Sequence, residues 1–302
     1  MSSSTFDHWG TRTRGAVAAL ADGLPVTTRT AAALLAVVPA TTVFVLRLAV
    51  NASLQGPVVD ASLLRPVLFA ALLGPALAAL VLGASTASTS PAERVGLTFV
   101  GVFGVLAGLS PAAWLPASGA VLGGGSLAVA SRIREADRQV TPLELVSSTV
   151  VLLGIALSLA ASSGVATSLR TTGTTVALLG IALAPAFAGR SLSWPDLGAG
   201  ALAAVAVYQA ATSAPFVAGA ALLVGSNVVG GSVVLVALAA GGGVAATVAG
   251  VRTGRWPVAM GAVLLLVSGV PATLAGAVGA VVALALLVSD GGAGTDIRGG
   301  PA

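Results

Sequence analysis

Cysteine and lysine are absent from this chain of 302 residues, and histidine and tyrosine occur once each. Without cysteine the chain forms no disulfide, thiol nucleophile, iron–sulfur cluster or cysteine-bound zinc site. The one histidine, His8, has no cluster of carboxylates beside it in the sequence, so it predicts no metal site. We therefore expect neither a metal nor another cofactor.

Charge is scarce as well. Charged residues make up 8% of the chain, whereas about 25% is usual in globular domains. Hydrophobic residues make up 56%, and the mean hydropathy is +1.02. Uncharged runs of Ala, Val, Leu and Gly recur from Ala31 to Val288, and a transmembrane helix needs about 20 such residues. The composition excludes soluble domains and predicts an all-α, multi-pass protein of the cell membrane, in contact with the lipid bilayer.

The lengths of the apolar runs predict about ten spans (roughly eight to eleven), arranged as successive helical hairpins. The run from Leu197 to Val251 fits two spans, with a turn at 225–232. The run from Pro257 to Ser289 fits a hairpin that folds at Ser268–Pro271. Residues 31–289 thus form the membrane domain, between a cytoplasmic segment at 1–30 with a short interfacial helix and a disordered tail at 290–302. The single spans are predicted at Ala31–Val50, Pro66–Gly83, Pro91–Leu109, Ala112–Ala130, Leu143–Ala161 and Gly173–Gly189.

A helix-start signal occurs twice, at Ser90-Pro-Ala-Glu93 and at Thr141-Pro-Leu-Glu144, and a looser copy begins at Ser193. The hydroxyl accepts a hydrogen bond from the third helical N–H, and the glutamate reaches back to the N–H of the cap. Proline at the first helical position costs nothing, since its missing N–H would have no partner there. These signals predict the starts of the third, fifth and seventh spans.

Arginine positions predict the orientation, because basic residues concentrate in cytoplasmic loops. Most of the arginines fall on the side of the N-terminal segment, so both termini are predicted to be cytoplasmic. Because the arginines are scattered among loops, they predict no nucleic-acid partner. The cytoplasmic set is Arg94, Arg132, Arg134, Arg138, Arg190, Arg252 and Arg255, and the opposite set is Arg47, Arg65 and Arg170.

The densest group of charges lies between Arg132 and Glu144, and we call it the charged island. It is predicted to be a water-exposed cytoplasmic loop that ends in a helix start. Its arginines, Arg132, Arg134 and Arg138, are candidates for contact with anionic lipid or with a cytoplasmic protein partner.

Two polar features lie at membrane depth. Arg47 lies inside the first predicted span, near its end, and it can either snorkel to the interface or act with Asp60 of the next loop. Tyr208 and Gln209 precede Pro215, and a helix broken by proline can line a substrate pathway or pack as a kinked helix. We treat Tyr208, Gln209 and Pro215 as candidate residues of a substrate pathway.

No catalytic group is assembled in this sequence, since a carboxylate pair, a histidine or a Ser–His arrangement near the membrane is lacking. We therefore predict no enzyme. Two functions stay open: a non-catalytic scaffold or accessory subunit of a membrane complex, and a permease or permease subunit for a neutral or apolar solute. The sparse chemistry at membrane depth favours the scaffold.

The Ala- and Val-rich composition with arginine as the only basic residue is typical of a GC-rich genome. In composition and layout the chain resembles the uncharacterised polytopic membrane proteins of halophilic archaea. That resemblance implies a membrane bundle and carries no functional residues with it.

Overall fold

The computed structural model describes residues 28–52, 64–85, 90–135, 140–213, 233–268 and 273–288. Within these ranges the chain forms ten α-helices, three short 3-10 segments and no strand, which confirms the predicted all-α class. The helices are α1 (Thr28–Ala52), α2 (Leu64–Ala84), α3 (Pro91–Leu109), α4 (Trp114–Glu135), α5 (Pro142–Ser162), α6 (Arg170–Ala182), α7 (Trp194–Ser213), α8 (Val233–Arg252), α9 (Trp256–Val267) and α10 (Leu274–Leu287). The 3-10 segments are Pro111–Ala113, Thr167–Leu169 and Ala184–Ser191.

Within the described ranges, six helical segments are long and apolar enough to cross a membrane. They lie in α1, α2, α3, α5, α8 and the stretch Thr167–Gly189, which contains α6. The helices α9 and α10 are equally apolar but shorter, with 12 and 14 residues. The chain is thus a multi-pass helical protein, while the count of about ten spans and the cytoplasmic termini stay predictions.

Most consecutive helices pack against each other, and glycines let the two backbones approach where α3 crosses α4 and where α7 crosses α8. In α3 and α4, a methyl group on Gly124 would lie 2.6 Å from the carbonyl oxygen of Gly96. In α7 and α8, a methyl group on Gly200 would lie 2.6 Å from the carbonyl oxygen of Gly241. Small residues occupy these crossings in place of bulky ones, because van der Waals contact between the backbones stabilises helix pairs in lipid.

The helix α10 lies at the centre of the described bundle. Every residue of α10 except Ala275 is buried, and the helix contacts α1, α2, α3, α4, α5 and α9. A helix that is apolar on all faces is expected in the interior of a large helical protein. It pairs with α9 as the predicted hairpin, because Gly261 lies against Leu286 and Leu287 while Gly279 lies against Ser268.

The start signals form as local chemistry predicts, with two variations. At α5 the box is complete: Glu144 N donates to Thr141 Oγ1 at 3.3 Å, and Thr141 N donates to Glu144 Oε2 at 2.9 Å. At α3, Ser90 Oγ accepts from Glu93 N at 3.1 Å, but the Glu93 carboxylate points toward Arg132 of α4. At α7 the carboxylate of Asp196 accepts from both the N–H and the hydroxyl of Ser193.

Removing the cap at α5 is expected to destabilise the protein modestly. Thr141→Ala deletes the acceptor for Glu144 N, and losing such a cap costs about 1 kcal/mol. Thr141→Ser keeps the acceptor and is the matched control. The measurement is the melting temperature of each purified variant in one detergent, and equal melting of the two variants would contradict the predicted role of the cap.

Candidate functional sites

The carboxylate of Glu93 is buried at the start of α3, and it pairs with Arg132 at the end of α4. Glu93 Oε1 accepts a hydrogen bond from Arg132 Nη1, and the two side chains are 4% and 9% exposed. Arg29, in the first turn of α1, and Glu135 lie close enough to act electrostatically on Glu93. Ser90 caps α3 through its hydroxyl, while the carboxylate of Glu93 joins the start of α3 to the end of α4.

A second pair joins the ends of the α7–α8 hairpin. Arg252 Nε donates to Asp196 Oδ1 at 3.0 Å, and Arg252 Nη2 donates to Asp196 Oδ2 at 2.9 Å. Arg252 also donates to the carbonyl of Ser191. The hydrogen bonds from Arg252 hold the pKa of Asp196 well below its usual range. The pair therefore contributes its stability above the ordinary aspartate pKa of about 4 and loses it only in stronger acid.

The Glu93–Arg132 pair changes the interpretation of the charged island. It was predicted to begin as a water-exposed loop, but α4 continues to Glu135, so Arg132 and Arg134 are helical. Arg132 is buried against Glu93, whereas Arg134 is exposed on the last turn. Arg138 lies outside the described residues. Contact of the charged island with lipid or a protein partner stays a prediction. Of its two described arginines, only Arg134 is exposed and can make such a contact.

Arg47 borders a small cavity between α1, α2, the end of α9 and the start of α10, which we call the Arg47 cavity. Its volume is about 70 Å³, and its polar side chains are those of Arg47, Ser268 and Thr273. Thr273 also caps α10, because Gly276 N donates to Thr273 Oγ1 at 3.2 Å. Asp60, the partner suggested by the sequence, lies outside the described residues. The apolar part of the lining is Ala40, Val43, Phe44, Leu68, Ala71, Pro75, Val267, Ala275 and Gly276.

The helices around this cavity either contain a proline or are short. Pro39 in α1 and Pro75 in α2 each remove one helical hydrogen bond, to the carbonyls of Leu35 and Ala71. Gly74 packs directly on the first of these carbonyls. With 12 and 14 residues, α9 and α10 measure about 18 and 21 Å, against about 30 Å of hydrocarbon. Ser268 at the end of α9 and Thr273 at the start of α10 line the same cavity as Ala40 in the middle of α1.

Tyr208 and Gln209 lie on the exposed face of α7. The neighbouring hydroxyls of Thr212 and Ser213 donate to carbonyls of their own helix, including that of Gln209. Pro215 lies outside the described residues. Neither Tyr208 nor Gln209 lines the Arg47 cavity or the surface groove of α3 and α4, so the predicted substrate pathway stays a prediction.

The outer surface of α3 and α4 carries an apolar groove of about 240 Å³, which we call the α3–α4 groove. Gly119 and Gly123 form its floor, and a methyl group on either would meet no atom within 4 Å in the described part of the chain. Phe99 and Leu127, which are 46% and 43% exposed, stand at its rim. The groove is lined by Val95, Gly96, Phe99, Gly119, Ala120, Gly123, Gly124 and Leu127.

Metal-binding chemistry was not predicted, and the described ranges contain no group of three or more histidine or acidic side chains that could hold a metal ion.

The sequence analysis did not predict the two ion pairs, although the four residues occupy equivalent positions in the two helix pairs. In both hairpins the acid is the third residue of the first helix, and the arginine lies in the last turn of the second helix.

Six segments of spanning length and a bundle built around a fully apolar helix define an integral membrane protein of the multi-pass helical class. Residues 29–288 match the integral membrane family of unknown function DUF8068, and the chain belongs to that family. Comparison with curated proteins and with solved structures gives no match. This match supports the prediction of an uncharacterised membrane protein. It gives no support to the predicted resemblance to proteins of halophilic archaea.

Proposed function

We propose that this protein is a non-catalytic scaffold or accessory subunit of a complex in the cell membrane. In this proposal the α3–α4 groove receives a transmembrane helix of another subunit, and the exposed end of α4 meets a cytoplasmic protein. The observation that carries the proposal is the groove itself, a surface of the kind that joins helices elsewhere in this chain but with no helix seated on it in the described structure.

The packing inside the bundle supports a scaffold. The centre is filled by α10, whose side chains are buried on all sides. Glycines at the crossings of α3 with α4 and of α7 with α8 bring backbones into contact, and ion pairs close both hairpins at one end. Such packing leaves little room for a solute pathway among the described helices.

The geometry of the groove supports a helix as its occupant. Gly124 and Gly96 face each other inside the chain, whereas Gly119 and Gly123 of the same helix face outward. Each glycine in a helix costs up to about 1 kcal/mol relative to alanine. Close approach of a second backbone is what spaced small residues permit between membrane helices. A partner helix in the groove would therefore gain contacts that the monomer leaves unused.

The proposal predicts that filling the groove releases a partner. Gly119→Leu and Gly123→Leu place side chains where the partner backbone would lie, so co-purification of that partner from native membranes should fall at least tenfold. The measurement is quantitative mass spectrometry of the proteins that co-purify with the tagged full-length chain in mild detergent.

Gly198→Leu is the matched control, because Gly198 is also exposed and meets no atom within 4 Å in the described structure. It should retain every partner that the wild type retains. Identical sets of co-purifying proteins for the groove variants and the wild type would refute a scaffold that assembles through this groove. Arg134→Gln tests the second contact in the same way, through the cytoplasmic proteins that are lost.

A permease, or the membrane subunit of one, is the second candidate. The observation that favours it is the Arg47 cavity, because helices broken within the membrane line the substrate sites of many transporters, and Pro39 and Pro75 each remove one hydrogen bond from the helices that form this cavity. Transport of a labelled solute into vesicles that contain the purified protein would favour this candidate over the scaffold, and loss of the transport in Arg47→Gln would place the site.

A further inference from the structure

We propose that α7 joins two copies of this chain into a dimer within the membrane, through the face that carries Leu202, Val205, Gln209 and Thr212. We call this face the α7 seam. The inference does not depend on the scaffold, because the α7 seam shares no residue with the α3–α4 groove. Failure of the dimer would therefore leave the proposed contact at the groove in place.

The helix α7 lies at the edge of the described bundle. Its extensive contacts with described helices are all with α8, and of its 20 residues only Asp196, Gly200 and Ala211 are buried. Because α8 is one of the segments of spanning length, α7 alongside it also lies in the membrane. Most of the surface of α7 therefore faces away from the described helices.

The residues of the α7 seam share one side of the helix. They are spaced by three, four and three positions along the sequence, which is the pattern that two parallel helices bury between them. All four are exposed, Leu202 at 74% and Val205 at 59%. One polar residue in such a pattern sets the register and the number of the helices, and Gln209 occupies that position.

Gln209 places an exposed polar side chain at membrane depth. Trp194, at the start of α7, is 86% exposed, and tryptophan concentrates at the membrane interface. At 1.5 Å per residue, Gln209 lies about 22 Å along the helix from Trp194, which is inside a hydrocarbon layer of about 30 Å. Facing lipid at that depth is costly for an amide, and a hydrogen bond across a helix pair removes the cost.

The chemistry of the amide favours a second copy as the partner. Glutamine carries both donors and an acceptor, so two glutamines that face each other across a two-fold axis can satisfy each other. Copies of one chain lie in the membrane in the same orientation, so their α7 helices would run parallel and hold both Gln209 side chains at one depth. A different chain would need a matching polar group at that depth.

Disulfide trapping in isolated native membranes tests the dimer. The chain has no cysteine, so Val205→Cys introduces a single thiol into the α7 seam, and oxidation with copper phenanthroline should link two copies through it. Leu153→Cys is the matched control on α5, at a residue that is 49% exposed, and it should stay monomeric. Equal yields of linked dimer from both positions, no dimer from position 205, or a link from there to a different polypeptide would overturn the proposal.

Gln209→Leu measures the contribution of the amide at nearly constant side-chain size. The dissociation constant of the dimer in lipid vesicles, measured by energy transfer between copies labelled at Thr253→Cys, should rise about tenfold. Tyr208→Phe is the control, because it removes a polar group from an exposed residue that is turned about 100° around the helix from Gln209. It should leave the constant unchanged. An unchanged constant for Gln209→Leu, or an equal rise for Tyr208→Phe, would contradict pairing through Gln209.

Discussion

Arg132→Gln should destabilise the protein by about 3–5 kcal/mol, the cost of removing one partner from a buried ion pair. Glu93 would remain at the start of α3 with only 4% of its side chain exposed and without the guanidinium that now binds it. The loss would appear as a lower melting temperature of the purified protein and as a lower yield from membranes.

Arg134→Gln is the control for this variant, since it removes the same charge two residues further along α4 from an exposed position. It should change the stability by less than about 0.5 kcal/mol. The double variant Glu93→Gln with Arg132→Gln should recover much of the loss, because no buried charge is left without its counter-charge. Additive losses in the double variant would show that the two side chains do not act as a pair.

Gly124→Ala and Gly123→Ala should have opposite effects although the residues are adjacent. A methyl group on Gly124 would lie 2.6 Å from the carbonyl oxygen of Gly96 and 2.9 Å from Phe99 Cβ. The backbone of α3 would have to move, and such overpacking costs about 1–3 kcal/mol. On Gly123 the methyl group meets nothing within 4 Å in the described residues, so alanine should stabilise α4 by up to about 1 kcal/mol.

Melting temperatures of the two purified variants in the same detergent check this prediction. A loss for Gly123→Ala as large as that for Gly124→Ala would mean that both faces of α4 are packed within the chain. The α3–α4 groove would then not exist as an open surface.

Local chemistry explains why much of the fold could be predicted. The span predicted at Pro91–Leu109 has the bounds of α3, because Ser90 and Pro91 set its start within one turn. The box at Thr141 forms for the same reason, since its partners are three residues apart. The hairpin at Ser268 was marked by an apolar run too long for one helix.

The tertiary arrangement could not be predicted from single residues. Glu93 and Arg132 are 39 positions apart, and only the antiparallel packing of α3 and α4 brings them together. The central place of α10 has no sequence signal, because an apolar helix is compatible with lipid as well as with the interior. Arg47 was predicted to be either an interfacial anchor or a partner of Asp60, and only the tertiary packing brings Ser268 and Thr273 into the cavity that it borders.

Photo-cross-linking from the groove in native membranes tests the scaffold most directly, and because the chain has no cysteine of its own, an introduced cysteine is the single labelling site in it. Leu127→Cys places a benzophenone maleimide at the rim of the groove, and Leu202→Cys places it on α7 at a residue that is 74% exposed. We expect a defined cross-link to a different polypeptide from position 127 and none from position 202. No such product from either position would contradict a partner helix in the groove.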